Sequence, residues 1–582
     1  MPAAGVLYQI TPRAPVPIPV SLRDTLKILL EEELFLPGID LLSNLLAQGI
    51  GRSSSTNNET IYVPPPIYIS LLTTLLAHPH FTTHIPRTGR VDRDLSLLPA
   101  HAERVLRRYL ALAGARGAGI IEAWRFNEVS RRRGMRGGSI GAGVMGESSE
   151  AFEDDKLDIR FARKESIFDR GDDFWAVMGW GFTCACAKGK GEREKWMRRR
   201  WEGAWRRLIG VALEGLERDW VERGKVENML GGPEIAGDEG REGALVLKYL
   251  PGTTGSVGVR RVARAIFANG RGRMSGEWKE VWAGEAAAPS SAKRKSSGGK
   301  ALNKKGKKGS KKGNEGDDKT GRERLGVFDE SEDDYFSDAS DTAGIEKRDS
   351  SSEDTISVGI TPPPSALPPN AADAWGGLDA IELRQKIIML LLDVCNNGYY
   401  LPSEILHEAF ADHILPLSLW ELPLFTTSSS LCTDAQAFIL ATSHQKNLAD
   451  LNKYLLDALM ESEALMPSEE SEELDIKELV ICYLPYGAKS GKVVDNLKVG
   501  FLIEGLMRGL LKSGRTDGVQ RDWAMEALER GIERRKKNGG KILGGKKEEE
   551  MRARRWLEEG EQRLHMLVEE VGESPREVES CT

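Results

Sequence analysis

The sequence is poor in cysteine and histidine, two residues on which many enzymes, metal sites and secreted proteins depend. It contains 6 cysteines and 8 histidines in 582 residues. The cysteines are irregularly spaced, at positions 184, 186, 395, 432, 482 and 581, which indicates no disulfide framework and favours a reducing compartment. Because few histidines leave few candidates for acid–base catalysis near neutral pH, we predict that the chain is not an enzyme.

The sequence also lacks a long apolar run and an N-terminal targeting signal. Its apolar runs are far shorter than the ~18 residues that a transmembrane helix needs. The opening residues, MPAAGVLYQITPRAPVPIPV, contain prolines and no basic cluster ahead of an apolar stretch, so they do not resemble a signal peptide. We therefore predict a flexible segment over 1–20 and expect no membrane partner.

Composition divides the chain into ordered and disordered parts. Hydrophobic residues make up 40% and charged residues 29%, which is enough for packed domains with a disordered minority. Between 285 and 370 the sequence shifts to Ser, Gly, Lys, Asp, Glu and Pro, and this predicts a disordered linker, first basic and then acidic. The linker separates an N-terminal helical domain (21–284, with a mobile Gly/Arg loop at 130–150) from a C-terminal helical domain (371–518) and a charged helical tail (519–582).

Helical periodicity dominates both predicted domains. The segment SLRDTLKILLEEELFL over 21–36 has leucines at helical spacing, begins with a Ser cap and is followed by Pro37 as a stop signal. Similar segments follow one another with short breaks. The pattern predicts an all-α fold, a helical-hairpin array (α-solenoid-like) in two halves separated by the long disordered linker.

Weak internal sequence similarity leaves open whether the two halves are related. KYLPGTTGSVG at 248–258 and CYLPYGAKSGKV at 482–493 occur in the same order in the two halves, but at unequal spacing. Either the halves are related repeats, or Leu-rich helical segments resemble each other by chance.

The stretch DDFWAVMGWGFTCACAKG over 172–189 raises the question of a metal or redox site. A zinc site needs a second pair of ligands near Cys184 and Cys186, and residues two apart on a helix point in different directions. The histidines of HEAFADH at 407–413 are six residues apart rather than the four that a zinc protease helix requires. We therefore predict two small buried cysteines and no metal or cofactor.

The same stretch has the features of a buried central helix. Asp172 and Asp173 suit a helix N-terminus, and glycines and alanines further along would let another helix approach closely. The Trp-rich segment 192–223, predicted to end at Gly224, is its expected first partner.

Four arginines of that segment mostly fall off its apolar stripe and are candidate nucleic-acid contacts. They are Arg198, Arg199, Arg206 and Arg207. Three interpretations stay open: a core helix with a basic outer face, direct binding of nucleic acid by arginines and stacking aromatics, or docking of a partner protein.

The strongest functional signal lies in the predicted linker. Residues 293–313 hold ten Lys and Arg residues and no acidic residue. Lys293 and Arg294, followed after ten residues by Lys305, Lys307 and Lys308, fit a bipartite nuclear import signal read by importin. Its residues are Lys293, Arg294, Lys295, Lys304, Lys305, Lys307 and Lys308. The same charges would attract nucleic acid weakly and without sequence preference; a solvated basic linker without a partner is the alternative.

The acidic part of the linker contains candidate phosphorylation sites. Ser331, Ser351 and Ser352 are followed by acidic residues, and Thr361 precedes a proline. Phosphates at these positions would deepen the negative charge of this block.

These features predict a non-enzymatic nuclear scaffold or adaptor of a chromosome-associated complex, in DNA repair, chromatin or segregation. It would bind the other proteins of that complex through helical surfaces. A nucleolar RNA-binding or ribosome-assembly factor is the alternative, and an enzyme in an unrecognised helical fold is a further one.

Overall fold

The computed structural model describes most of the chain outside the predicted linker. The described residues are 12–50, 60–82, 90–126, 157–250, 256–270, 276–287, 369–397, 400–426, 436–460, 474–513, 519–538 and 547–571.

The described elements before the predicted linker are two short strands and thirteen α-helices, numbered here in chain order. They are β1 (Ala14–Pro17), α1 (Val20–Glu31), α2 (Phe35–Ile50), β2 (Thr60–Val63), α3 (Pro66–Ala77), α4 (Pro79–Thr82), α5 (Arg90–Gly117), α6 (Ile120–Ala123), α7 (Ile167–Arg170), α8 (Phe174–Ala185), α9 (Glu192–Arg200), α10 (Arg206–Leu230), α11 (Pro233–Ala236), α12 (Leu245–Tyr249) and α13 (Ser256–Ile266). A π-helical segment, Trp201–Trp205, joins α9 to α10, and the 3-10 turns are Arg160–Ala162, Gly237–Glu239 and Arg241–Gly243.

The described elements after the predicted linker are all helical. They are α14 (Pro369–Ala374), α15 (Leu378–Asn396), α16 (Ser403–Ile414), α17 (Pro423–Thr426), α18 (Gln436–Leu459), α19 (Ile476–Glu478), a π-helical segment (Leu479–Tyr483), α20 (Val493–Lys512), α21 (Arg521–Asn538) and α22 (Lys547–Glu570). The prediction of a mostly helical protein is confirmed. Among the described residues, no helix is both long and apolar enough to cross a bilayer.

The helices from both sides of the linker share one hydrophobic core. Residues Met1–Ala288 and Ala366–Thr582 form one compact unit, and the buried cluster runs from Ile18 to Val571. The sequence divides these segments into two helical domains because the linker separates them along the chain. Packing joins them because α10 and α13 lie against α15.

Helix α8 lies in the middle of this core, as the sequence predicts. Asp173 caps it, since its carboxylate accepts a hydrogen bond from the Ala176 N–H at 2.9 Å. The absence of a side chain at Gly181 lets α10 approach closely, because a Cβ there would lie 2.8 Å from Ile209. A Cβ at Gly179 would likewise overlap the ring of Trp278. Cys184 and Cys186 are buried and are not joined in a disulfide.

The Trp-rich helical run is longer than the sequence predicts. Trp201, Trp205 and Trp220 are buried, in agreement with the predicted apolar stripe. Gly224, predicted to end the helix, lies inside it, where a Cβ would clash with the guanidinium of Arg241. The helix ends instead at Gly231, whose left-handed φ of 92° favours glycine.

The first predicted helix is two helices. Helix α1 ends at Glu31, Glu33 adopts a positive φ of 58°, and α2 begins at Phe35. Pro37 therefore lies in the first turn of α2, where its missing N–H costs no hydrogen bond, and does not stop a helix.

Strands β1 and β2 form a small parallel pair that the helical periodicity does not predict. Ala14 aligns with Thr60 and Pro17 with Val63. Prolines at 15 and 17 restrict this pairing to a short sheet edge.

The charged helices of the predicted tail pack against the body of the protein. Leu528 of α21 and Leu564 and Val568 of α22 are buried in the shared core. Arg535 of α21 is fully buried and donates to the carbonyl oxygens of Leu484 (3.3 Å) and Tyr486 (3.0 Å). Each of these charged helices therefore has a narrow apolar stripe that packs against the core.

We expect Trp175→Ala to destabilise the protein by roughly 3–5 kcal/mol, because it empties a buried site on α8. The indole is 2% exposed and donates to the Tyr249 carbonyl oxygen at 2.7 Å. Urea unfolding followed by circular dichroism measures the change. Val257→Ala, at a residue 75% exposed on α13, is the control and should change the free energy of unfolding by less than ~0.5 kcal/mol. Equal stability of the two variants would contradict the central placement of α8.

Candidate functional site

A charged cavity of about 520 Å³ lies between α5, α10 and α15. We call it the three-helix cleft. Helix α5 contributes Glu103 and Arg107, α10 contributes Arg206, Arg207, Gly210, Leu213, Glu214 and Glu217, and α15 contributes Asp379, Glu382, Leu383 and Lys386. The cleft combines helices from both sides of the linker, so its lining cannot be read from either segment alone.

Ion pairs connect α5 and α10 along one side of the cleft. The Arg107 guanidinium lies 3.2 Å from the Glu103 carboxylate and 2.7 Å from the Glu214 carboxylate. Arg207 also pairs with Glu103, at 3.3 Å, and Arg218 pairs with Glu214 at 3.2 Å. Both arginines of the cleft on this side are therefore neutralised by carboxylates.

Ion pairs also occupy the side of the cleft that α15 forms. Arg206 donates to the Asp379 carboxylate and so links α10 to α15. Lys386 lies 2.9 Å from the Glu382 carboxylate, one helical turn away. All four cationic side chains that line the cleft thus have a carboxylate partner within it.

Glu217 is the exception among the five carboxylates of the cleft. None of the ion pairs described within the cleft involves it. Burial, with a smaller contribution from the charge of Glu214, raises the pKa of its carboxyl group to about 7, against the opposing effects of Lys386 and Arg218. Glu217 therefore titrates near physiological pH.

The four candidate nucleic-acid arginines lie in two different places. Arg206 and Arg207 line the cleft, where each has a carboxylate partner. Arg198 and Arg199 are exposed on α9, and Arg198 lies 3.7 Å from the Glu202 carboxylate. A phosphate at Arg198, Arg206 or Arg207 would compete with a carboxylate that is already in place, whereas Arg199 is exposed. Their role in nucleic-acid binding stays a prediction.

A second polar feature joins the chain across the linker: the fully buried guanidinium of Arg384 on α15. It donates hydrogen bonds to the carbonyl oxygens of Ile266, Ala268 and Trp375, each at 2.7 Å. It also lies 3.4 Å from the Cys186 sulfur. Arg384 therefore holds the ends of α13 and α8 against α15.

The charge of Arg384 is stabilised by dipoles and rings rather than by an acid. Its guanidinium carbon lies 4.1 Å from the centre of the Phe182 ring and 5.4 Å from that of Trp375. Among the described residues, its hydrogen-bond acceptors are carbonyl oxygens and a sulfur. Burial lowers its pKa from the ordinary value for arginine.

A buried ion pair lies close to the start of the linker. Arg200 and Glu285 are 2.6 Å apart with nearly no exposure, and the Trp205 indole donates to the same carboxylate at 2.8 Å. The Trp196 indole donates to the Glu285 backbone carbonyl oxygen at 2.9 Å. This network fixes the chain just before the linker onto α9 and its π-helical extension.

The buried histidines are held neutral. Burial lowers the pKa of His78 to about 3. Its Nδ1 accepts from the His80 N–H at 3.1 Å, so its Nε2 carries the proton that faces Glu165 at 3.3 Å. His407, from the HEAFADH segment, has a pKa lowered by burial to about 4, and His413 stacks on Phe267. In the described part of the chain, no group of three His, Cys, Asp or Glu residues is placed to hold a metal ion.

The predicted import signal, the phosphorylation candidates and the Gly/Arg loop lie outside the described residues. They stay predictions from the sequence.

No protein-family model and no curated protein matches the chain.

Sequence reasoning missed the residues that organise these sites. Glu217, Glu285 and Arg384 lie in helical or loop segments rich in other charges, and no spacing rule marks them. Arg384 does carry one sequence signal, because it falls between Leu383 and Ile387 on an otherwise apolar helix face. A charge inside an apolar stripe indicates a buried polar contact.

We expect Arg384→Met to destabilise the protein by roughly 2–5 kcal/mol, because it leaves three buried carbonyl oxygens without a donor. Arg206→Met is the matched control: its ion pair with Asp379 is exposed and contributes at most ~1 kcal/mol. Urea unfolding midpoints and slopes measure both changes. Similar small effects of the two substitutions would show that Arg384 does not hold the two segments together.

We expect Glu217→Gln to stabilise the protein at about pH 8 and to change little at about pH 4. The pKa of Glu217 in the folded chain, about 7, lies above its unfolded value, so wild-type stability falls as pH rises from the unfolded pKa towards 7. The neutral amide avoids this loss, with a gain of roughly 1–3 kcal/mol at the higher pH. Thermal unfolding across pH measures it. A difference independent of pH would contradict the raised pKa.

Proposed function

We propose that this chain is a non-enzymatic nuclear scaffold, or adaptor, of a chromosome-associated complex. In this proposal its helices form a helical-hairpin array that presents surfaces to partner proteins, and importin carries it into the nucleus by the basic block at 293–308. The complex would act in DNA repair, chromatin or segregation.

One observation carries the proposal: the chain before and after the linker belongs to a single core. Glu285, just before the linker, is bound to Arg200, and Trp375, just after it, accepts from Arg384. The linker is therefore an insertion into one body rather than a connection between two. In this proposal the import pattern and the kinase motifs belong to a segment that both enters from and returns to the same body.

The surface of that platform supports partner binding. The three-helix cleft is large enough for protein side chains, and ion pairs hold its walls in place. Helices joined by short connections, such as α1 with α2 and α3 with α4, pack on each other, which supports the hairpin-array part of the proposal.

A nucleolar RNA-binding or ribosome-assembly role is the second candidate. The exposed Arg198 and Arg199, with Lys188 and Lys190 nearby along the chain, form a basic surface segment that supports weak, salt-sensitive attraction to nucleic acid. Affinity purification with mass spectrometry separates the two roles. Chromosome-complex subunits support the first, ribosomal precursors support the second, and recovery of neither contradicts both.

We expect nuclear accumulation to be lost when 293–308 is replaced by a Gly/Ser segment of equal length, because importin needs both basic clusters. Fluorescence microscopy of the tagged full chain measures localisation. Replacing 343–358 in the same way is the control and should leave localisation unchanged. Nuclear accumulation that persists after the first replacement would reject the import signal.

A further inference from the structure

We propose that the three-helix cleft binds a cationic side chain, a lysine or arginine of a partner protein, with Glu217 as its carboxylate partner. The inference rests on the proposed scaffold function for the source of this group. It adds the chemical class that the scaffold recognises and the residue that recognises it.

The charge balance of the cleft favours a cation. Five carboxylates and four cationic side chains line it. Each of the four cations already has a carboxylate partner: Glu103 and Glu214 pair with Arg107, Glu103 with Arg207, Asp379 with Arg206, and Glu382 with Lys386. Glu217 is left without a partner among these ion pairs. One additional cation in the cleft would give Glu217 an ion-pair partner as well.

An anionic ligand fits the cleft poorly. A phosphate or an acidic peptide would compete with carboxylates already in place, and Arg107 is engaged by two of them. The exposed Arg–carboxylate pairs are individually weak. However, displacing one of them leaves its carboxylate facing the incoming anion. The arginines that α5 and α10 contribute therefore hold the walls of the cleft together and do not bind its ligand.

The remaining lining suits a long aliphatic side chain. Leu213 and Leu383 are apolar members of the lining and can contact the methylene stem of a lysine or arginine. Gly210 has no side chain, and a Cβ there would lie 3.3 Å from the Arg107 guanidinium. The cleft thus offers an apolar wall, a carboxylate and about 520 Å³ of space.

Binding of a cation must be linked to ionisation of Glu217. Its pKa of about 7 leaves it mostly protonated at about pH 6 and mostly ionised at about pH 8, so affinity should rise about tenfold between these values. The other charged groups near Glu217 are Glu214 and Arg218 on α10 and Lys386 on α15. The other charged groups that line the cleft are Glu103, Arg107, Arg206, Arg207, Asp379 and Glu382.

The test is fluorescence anisotropy of the full chain with labelled glycine–serine nonapeptides that carry two central lysines, two arginines or two glutamates. We expect the lysine or the arginine peptide to bind, about tenfold more tightly at about pH 8 than at about pH 6, and the glutamate peptide not to bind. Glu217→Gln should abolish the pH dependence and weaken binding at about pH 8 by at least about tenfold. This variant is expected to remain folded, since it removes a destabilising charge.

Glu192→Gln is the matched control for general attraction to an acidic chain. Glu192 lies exposed on α9, paired with Lys195 and outside the cleft, so this variant should bind as the wild type does. Equal affinity of wild type and Glu217→Gln, equal affinity for the glutamate peptide, or no binding of either basic peptide would overturn the proposal. Spermidine tests the source of the group: binding of spermidine without binding of either peptide also overturns it, since it excludes a protein ligand.

These results separate the cleft from the scaffold function. Loss of peptide binding in Glu217→Gln leaves nuclear accumulation and complex recovery unaffected if the scaffold has other partner surfaces. Absence of chromosome-complex subunits in the purification, with peptide binding intact, would reject the proposed setting and retain the cation site.

Discussion

The buried guanidinium of Arg384 is the contact on which the shared core depends. A buried guanidinium needs hydrogen-bond acceptors for its N–H groups, and here the acceptors are backbone carbonyls at the ends of α13 and α14. Those carbonyls are left over where helices end, because the last turn lacks intrahelical donors. One side chain from beyond the linker satisfies all of them. The position of α15 is therefore specified by polar geometry, while the apolar surface around it supplies most of the stabilisation.

Buried charge recurs at the places where the chain enters and leaves this core. The Arg200–Glu285 pair attaches the chain just before the linker, and Arg384 attaches it just after the linker. Arg535 attaches α21 to the carbonyl oxygen of Leu484, which follows the second π-helical segment. A buried ion pair contributes little net stability compared with a well-packed apolar substitute. A buried charge instead destabilises alternative packings, because a shifted helix would leave that charge without partners. We infer that these arginines select one arrangement among the many that Leu-rich helices allow.

The local structure was predictable from the sequence, and the long-range contacts were not. Apolar spacing and the acidic pair Asp172 and Asp173 identified α8 and its burial, and the tryptophan stripe identified the core face of α10. Local stop signals were less reliable: Pro37 opens a helix and Gly224 lies within one, since tertiary packing overrides propensity. Glu217 and Arg384 acquire their properties from residues on other helices, so no local pattern marks them. The same holds for the three-helix cleft, whose walls come from chain segments more than 150 residues apart.

The return of the chain to its own core has a consequence for synthesis on the ribosome. When Ala287 has been made, the carbonyl oxygens of α13 and the face of Phe267 still lack their partners. Those partners arrive with Arg384 and Trp375, about 100 residues later, which at ~5–20 residues per second is a delay of roughly 5–20 s. During that interval the apolar surface that these residues later cover is exposed to solvent. The nascent chain therefore depends on being shielded, or on folding slowly, until the second segment closes over it.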